Sequence, residues 1–453
     1  VIAAAELFRG QALDGACPGM LAGVARDSRR VQSGDAFVAQ ADDPAHSSEA
    51  ERHGAAVVAA RGHGGLRTVH PRWTFARASA AAAGLDRRCP PLAAVTGTKG
   101  KSTTVHFLAA ALGPGAARVG TVGWHDGVSE RPNPQTTPPP DELHAFLAGL
   151  PAGCPGVALE ASSHGADQHR LAGLRLAALA VTGLGHDHLD YHRTAAAYCQ
   201  AKLRTVRLLA PGAPCVVNAD DARAALFLHA ARCAGAVPVA LGRARLARRG
   251  AGWTLDGAEL PTPLPGAFNA WNAAAALLMA EAMGVPRALA GARLAAAEHP
   301  PGRFELLARA PLTYVDYAHT PESIANLVAA LREAHPGRRL ALVFGCGGDR
   351  DPSKRAPMGR AAAAADVVVV TTDNSRSEDP AAIAAQVLAG LAGHPQAEAE
   401  HERGAAILRA RALAGADGVV AVAGKGHETT QTIRGQVRPW SDRDFVRTLE
   451  RPA

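Results

Sequence analysis

The sequence predicts an α/β protein of three domains: a small N-terminal α/β domain, a central parallel-sheet domain of the phosphate-loop type and a C-terminal Rossmann-like domain. Three observations carry this. At 453 residues the chain exceeds one ordinary core. In "AAVTGTKGKSTTVHFLAAAL", Ala93 to Leu112, an apolar strand, a glycine loop and a helical pattern follow one another. Three apolar runs in the last third, "LALVFGCGGDRD", "DVVVVTTDNSRSED" and "GVVAVAGKGHE", each end in a polar loop.

The elements follow in order. Residues 1–90 hold short apolar runs, "GDAFVA" and "GAAVVAAR", broken by the turn signal Ser33-Gly34-Asp35, which suits a small α/β unit. "RRCPP" at 87–91 reads as a linker because paired prolines interrupt regular structure. Beyond it, "LAAVTG", "GVALEASS", "LAALAVTGLG" and "APCVVNADD" alternate with alanine-rich helical stretches, the pattern of a parallel sheet covered by helices. "GAFNAWNAAAALLMAEAMG" is a long helix with Asn269 near its start and Gly284 past its end. If the last three strands are parallel neighbours, Arg350, Asn374, Arg376, Lys425 and Glu428 converge at their carboxyl ends, where open α/β sheets bind ligands.

Composition narrows the chemistry. A net charge of +7 and a pI near 9.3 give a mild positive field that attracts anionic ligands. The arginines are scattered without interleaved aromatics, which speaks against nucleic acid. No apolar run approaches the roughly 20 residues of a membrane span, and Glu6 and Arg9 break "VIAAAELFRG" before a signal-peptide core could form. Seven widely spaced cysteines without a Cys-x-x-Cys read as reduced thiols. A cytoplasmic protein without a membrane partner is expected.

The glycine loop offers backbone N–H groups and a helix N-terminus to phosphate oxygens. Lys101 would neutralise the outer phosphates, and the Ser102 hydroxyl suits Mg²⁺. The usual loop has a glycine five residues before Gly100; here Val95 stands there and Gly97 lies three before. Glu160 closes the apolar run of "ALEASSHGADQHR", placed either to hold a metal beside phosphates or simply exposed at a strand end. "GHDHLDYH" gathers His186, Asp187, His188, Asp190 and His192. Zinc would ordinarily bring cysteines or longer spacing, Mg²⁺ prefers oxygen, and a solvated turn is the plain alternative. By composition Lys202 is an ordinary helical lysine.

Taken together, these stretches resemble the Mur ligases, ATP-dependent amide-forming enzymes of peptidoglycan assembly. "DSRRVQSGDAFVA", "NPQTTP", "EASSHGADQHR", "DHLDYH", "GAFNAWN", "VDYAHTPES", "FGCGGDRD", "DNSRSEDP" and "GKGHE" occur in the family's order over nearly the whole chain. The family's short Gly-Thr-x-Gly-Lys-(Ser/Thr) loop accounts for the missing glycine. The pattern is nearest to members that add a diamino acid to a UDP-N-acetylmuramoyl dipeptide. The resemblance implies a UDP-substrate domain at 1–90, an ATP-binding domain at 91–301 and an amino-acid-binding domain at 302–453.

By the same resemblance, Gly97, Thr98, Lys99, Gly100, Lys101, Ser102 and Thr103, with Asn269, Asn272, Arg303 and Asp316, fall on ATP. Ser102, Glu160, His188 and Lys202 fall on two Mg²⁺ ions, Lys202 as a carbamate, and Lys101, Glu160, His188 and Lys202 form the catalytic set. Ser28, Thr136, Thr137, Ser162, Gln168 and Arg170 fall on the UDP-substrate, and Arg350, Asn374, Arg376, Gly424 and Glu428 on the incoming amino acid. A monomer that binds no nucleic acid is implied. Meso-diaminopimelate is favoured because Arg376 matches the arginine that clamps its distal carboxylate; lysine or ornithine is the alternative, with Arg376 paired to Glu378 or Asp379 instead. The chain departs from the family at Thr182-Gly183 (usually Thr-Asn), at Pro44-Ala45-His46 (usually Asp-Gly-His) and at Ser375 (usually proline). Folylpolyglutamate-synthase-like ligases share the loop but not "DSRRVQSGD". A non-catalytic relative would be expected to lose Lys101, Glu160, His188 or Lys202, and all four remain.

Overall fold

Parallel pairing predominates in the larger sheets of the protein. The computed structural model describes residues 1–453 except 12, 16–18, 41–42, 60–65, 134, 186 and 451–453. His186 of the histidine-rich turn, Cys17, and Pro134 of "NPQTTP" therefore lie outside the described residues. The chain forms two compact units: Val1–Pro261 with Trp271–Ala297, and Thr262–Ala270 with Glu298–Ala453.

After a short antiparallel pair, Ile2–Ala3 with Met20–Leu21, the first unit has four parallel strands, β1 (Val24–Ala25), β2 (Ala36–Val38), β3 (Ala56–Ala59) and β4 (Leu66–Arg67), in that spatial order. Helix α1 (Pro71–Ala82) buries Phe75 and Ala78 in one cluster with Ala36, Val38, Val58 and Leu66. Pro71 suits its first turn, where an N–H would be unbonded in any case. The "RRCPP" segment is tighter than expected, because residues Leu85–Arg88 form a helical turn before the chain straightens.

Eight strands follow: β5 (Leu92–Thr96), β6 (Ala117–Val119), β7 (Trp124–His125), β8 (Glu130–Arg131), β9 (Val157–Glu160), β10 (Ala178–Val181), β11 (Pro214–Asn218) and β12 (Val237–Leu241). Their order is β8-β7-β6-β9-β5-β10-β11-β12, parallel except for the antiparallel edge strands β7 and β8. All five residues of β5 are buried, as a central parallel strand covered on both faces requires. Helix α2 (Lys101–Leu112) leaves directly from its carboxyl end. Helix α3 (Pro140–Ala148) and helix α4 (Ala195–Leu203), capped by the Thr194 hydroxyl, supply the cover that positions the site. A small antiparallel sheet spans residues 246–260, a break in the βα alternation. The expected long helix is α5 (Ala267–Ala282).

The second unit is a six-stranded sheet of β13 (Glu305–Arg309), β14 (Leu312–Asp316), β15 (Leu340–Phe344), β16 (Val367–Val370), β17 (Ala397–Ala399) and β18 (Val419–Ala423). Its order is β13-β14-β18-β15-β16-β17, with only β13 antiparallel. The three apolar runs singled out in the sequence, β15, β16 and β18, are parallel neighbours. Beyond β18 come the hairpin β19 (Thr430–Ile433) and β20 (Gln436–Pro439). Helix α6 (Arg403–Ala414) packs Ala406, Ile407 and Ala410 into the core of this sheet. Among the described residues no helix is long and apolar enough to cross a membrane. Cys89, Cys154, Cys199, Cys215, Cys233 and Cys346 are free thiols, as expected.

Arg403 and Asp442 are both fully buried beneath the strand ends of this unit. The guanidinium meets the carboxylate through Nε (2.7 Å) and Nη2 (2.7 Å) and also donates to the Ala423 (2.9 Å) and Thr372 (3.3 Å) carbonyls. Removing one partner strands the other charge in a medium that cannot solvate it. Asp442→Ala should therefore lower unfolding free energy by about 3–5 kcal/mol in a denaturant titration. The double variant Arg403→Met/Asp442→Leu should recover most of that loss; recovery of none would show that the pair is not electrostatically coupled.

Candidate active site

The first cluster grows out of β5. Its last residue, Thr96, leads into Gly97 at φ +144°, a backbone conformation glycine adopts without strain. Gly97 also packs so closely that a Cβ there would lie 1.9 Å from Thr182 Oγ1. Thr98 N donates to the Gly183 carbonyl (2.8 Å), and Thr98 Oγ1 meets Tyr198 OH (2.9 Å) and accepts from Gly185 N (2.8 Å). Gly183, where the family usually has asparagine, thus serves the loop through its backbone. Ser102 and Thr103 lie buried in the first turn of α2, and Thr104 Oγ1 donates to Asn272 Oδ1 (3.1 Å), which fixes the buried Asn272 against that helix.

Two lysines meet on this loop. Lys101 folds back so that Nζ donates to the Gly97 (3.0 Å) and Thr98 (3.1 Å) carbonyls. From α4, Lys202 Nζ donates to the same Gly97 carbonyl at 2.7 Å and lies 4.8 Å from the Tyr198 ring centre. Lys202 is fully buried, which composition did not reveal. Burial drives its amine well below the ordinary lysine value, and the Lys101 charge pushes the same way. Thr98 was expected on ATP, and Thr182 was noted only beside Gly183; Tyr198 was not singled out in the sequence, and its spacing to Lys202, one helical turn, was the available signal.

Glu160, at the end of β9, is buried rather than exposed. Its carboxylate accepts from Thr121 N (2.8 Å) and Thr121 Oγ1 (3.1 Å). Thr121 also meets Thr136 Oγ1 (2.9 Å), while Thr137 Oγ1 donates to the Glu160 carbonyl (2.7 Å) and accepts from Ser162 N (2.9 Å). Thr121 was missed; its place just past β6, beside β9, was the clue. His188 occupies the left-handed region at φ +52°, and its ring lies 4.8 Å from that of His164. Burial lowers the His188 pKa against the raising effect of Asp187, and the charges of Lys101 and Lys202 add to the lowering. Among the described residues, which do not include His186, no three His, Cys, Asp or Glu side chains are grouped to hold a metal.

The residues expected on the UDP-substrate form one network except for Ser28. Arg170, half-buried, donates to the Thr137 carbonyl (2.6 Å) and to Gln168 Oε1 (2.7 Å), and Gln168 Nε2 reaches Tyr191 OH (3.3 Å). Burial and then the Arg26 charge lower the Arg170 pKa. Arg26, which the sequence did not flag, bonds Asp141 Oδ1 at 2.8 Å. Ser28 sits buried in the helical turn Ser28–Arg30 two residues on.

In the second unit Asn374, Lys425 and Glu428 converge at the sheet's carboxyl end. Glu428 Oε2 accepts from Lys425 Nζ (2.8 Å) and Asn374 Nδ2 (3.0 Å), and Lys425 Nζ also reaches Asn374 Oδ1 (3.3 Å). Gly424 is buried beside Asp373, and Arg350 is exposed. The Arg376 guanidinium donates to the Gly348 carbonyl (2.5 Å). Glu378 is taken by Arg355 (2.8 Å) and Asp379 by Arg434 (3.5 Å), so neither is the partner of Arg376. Elsewhere in this unit Arg303 stacks over Tyr317 (4.3 Å), and Asp316 accepts from Phe304 N and Ala318 N (both 2.7 Å) while burial raises its pKa. Asn269 is buried and donates to the Pro265 carbonyl (2.8 Å).

Residues 95–280 match the family model of the Mur ligase middle domain, and residues 302–426 match that of the Mur ligase glutamate ligase domain. A UDP-N-acetylmuramoyl-L-alanyl-D-glutamate–2,6-diaminopimelate ligase of Chelativorans is 38% identical over 94% of each chain. The Brucella melitensis protein of the same name is 39% identical over 93% of this chain and 92% of its own. A solved structure of a ligase of that name superposes with a TM-score of 0.68 at 31% identity, covering 94% of each chain. Mycobacterium tuberculosis folylpolyglutamate synthase complexed with ADP shares the fold at 20% identity, with a TM-score of 0.62 over 78% of this chain and 92% of its own.

The Lys202 amine makes its own prediction. Between its lowered native value and 10.5, the unfolded chain carries a proton that the native state has shed, so stability rises as pH climbs through that window. In CO₂-free buffer, Lys202→Met should raise Tm near neutral pH, with the gain shrinking as pH approaches 10.5. A gain independent of pH would show that Lys202 is charged in the native protein.

Proposed function

Because the chain belongs to the Mur ligase family, we propose that it is the ATP-dependent ligase that joins a diamino acid to UDP-N-acetylmuramoyl-L-alanyl-D-glutamate in cytoplasmic peptidoglycan synthesis. One observation supports this above the rest: a buried, deprotonation-prone lysine held on the carbonyl of the phosphate loop itself. A neutral amine attacks CO₂: the C–N bond forms, one C=O pair becomes carboxylate charge, and nitrogen releases a proton. The resulting carbamate, with the Glu160 carboxylate and the Ser102 hydroxyl, makes an oxygen-rich donor set that suits Mg²⁺, with His188 the nitrogen exception. Two Mg²⁺ held there would offset the charge of phosphate and carboxylate oxygens.

The reaction needs a carboxylate made electrophilic. The glutamyl carboxylate attacks the γ-phosphorus of ATP, ADP leaves, and the neutral amine of the amino acid then attacks the acyl carbon and expels phosphate. Lys101 exchanges its two loop carbonyls for phosphate oxygens, and the N–H groups of the loop and of α2 receive developing negative charge. Thr136, Thr137, Ser162, Gln168 and Arg170, with Ser28, are assigned to the UDP-substrate. We assign 1–90 to that substrate, 91–301 to ATP and 302–453 to the amino acid. Glu428 and Asn374 suit the amino acid's ammonium and carboxylate. Arg376, not committed to Glu378 or Asp379, suits the distal carboxylate of meso-diaminopimelate.

Lys202→Ala should lose nearly all turnover and regain part of it with added acetate or bicarbonate; full activity without additive overturns the carbamate. Lys101→Ala should abolish acyl-phosphate formation yet keep UDP-substrate binding. Phosphate release measured with diaminopimelate, lysine and ornithine should favour diaminopimelate in the wild type and lose that preference in Arg376→Ala. A wild-type preference for lysine or ornithine refutes the clamp.

A further inference from the structure

The loop from Asp373 to Asp379 carries Asn374 and Arg376, and much of what holds it comes from outside the loop. Ser375 leaves its own φ unconstrained, and its hydroxyl is buried without a hydrogen-bond partner. Arg376 sits at φ +52°, an uncommon state for a residue with a Cβ. On one side the Gly348–Arg355 segment holds it, through Gly348 N to the Asn374 carbonyl (2.9 Å), Asp349 N to Glu378 (2.6 Å) and Arg355 to Glu378 (2.8 Å); on the other side, at Asn374 and Arg376, stands the hairpin β19–β20. Arg376 N donates to the Thr432 carbonyl (3.1 Å), Gly435 N to the Arg376 carbonyl (2.7 Å), and Thr432 N to Asn374 Oδ1 (2.9 Å). Gln431, buried, donates through Nε2 to the Thr372 (2.9 Å) and Asp373 (3.4 Å) carbonyls, next to the point where Arg403 holds Thr372 from below. The hairpin turn is Arg434-Gly435, with φ +48° and +77°, the two positive values of a tight hairpin turn.

We propose that the hairpin β19–β20 determines amino-acid selection by clamping the Asp373–Asp379 loop, with Gln431 as the positioning residue that sets where Asn374 and Arg376 stand. The inference rests on the assignment of this loop to the incoming amino acid. Gln431 touches no substrate in this scheme; it acts through the two carbonyls that begin the loop. Loss of its donors frees the loop to sample other positions, which weakens binding of the amino acid without altering the phosphate loop in the other unit.

Steady-state kinetics of the full chain test this. Gln431→Leu keeps the side chain's bulk and removes both hydrogen bonds. It should raise KM for diaminopimelate roughly tenfold, leave kcat and the KM values for ATP and UDP-dipeptide within about twofold, and narrow the preference over lysine. Gly435→Pro, at the exposed turn, deletes the N–H that meets Arg376 and forbids a φ of +77°, and should act the same way. If Gln431→Leu fails to fold, Gly435→Pro decides alone. Equal movement of all three KM values, or movement of none, overturns the proposal. A wild type that prefers lysine or ornithine overturns the reading of Arg376 instead, and the hairpin is then judged on the KM of that amino acid.

Discussion

The Gly97 carbonyl accepts hydrogen bonds from two lysines at once, Lys202 at 2.7 Å and Lys101 at 3.0 Å. Burial, and after it the neighbouring Lys101 charge, makes Lys202 the amine that yields its proton more readily. Most features of the first unit can be read from this constraint. Gly97 must lack a Cβ because Thr182 closes on it, and the Thr182 hydroxyl in turn is held between the end of β5 (Thr96 carbonyl) and the loop (Lys99 carbonyl). Tyr198 and Lys202 stand one turn apart on α4, so the same helix pins Thr98 and delivers the second amine. The cost of burying Lys202 falls on stability, which is common where a site is organised for chemistry rather than for the resting fold.

The carboxylate of the site follows a different logic. Glu160 keeps its oxygens engaged by a backbone N–H and a hydroxyl from Thr121, donors that orient a carboxylate without neutralising its charge. An arginine in their place would compete with any cation. The contrast with the second unit is informative, since Arg403 and Asp442 are paired through two hydrogen bonds and tie the ends of β18 and β16 to the Trp440–Asp442 segment. One buried charge is left able to act; the other pair is spent on architecture.

Arg376 shows how a site residue can be kept available. Two acidic residues follow it within three positions, yet Glu378 is drawn to Arg355 and Asp379 to Arg434. The guanidinium then rests on the Gly348 carbonyl, a neutral acceptor that an incoming carboxylate could outcompete because a charge-assisted bidentate contact is stronger. Glu428, by contrast, is already ion-paired, with the fully buried Lys425 (2.8 Å).

β5, its glycine loop and α2 are legible in local order, and β15, β16 and β18 in uninterrupted apolar runs. These are legible because strand and helix patterns depend on neighbours within a few positions. Motif order alone also aligns Lys101, Glu160, His188 and Lys202 with the family's pattern. The burial of Lys202 is a tertiary result, because the Gly97 carbonyl it bonds lies 105 positions away. Likewise Thr121 reaches Glu160 across 39 positions, and Gln431 holds Thr372 across 59. Burial and partner choice are settled by residues distant in the chain, so no local pattern records them.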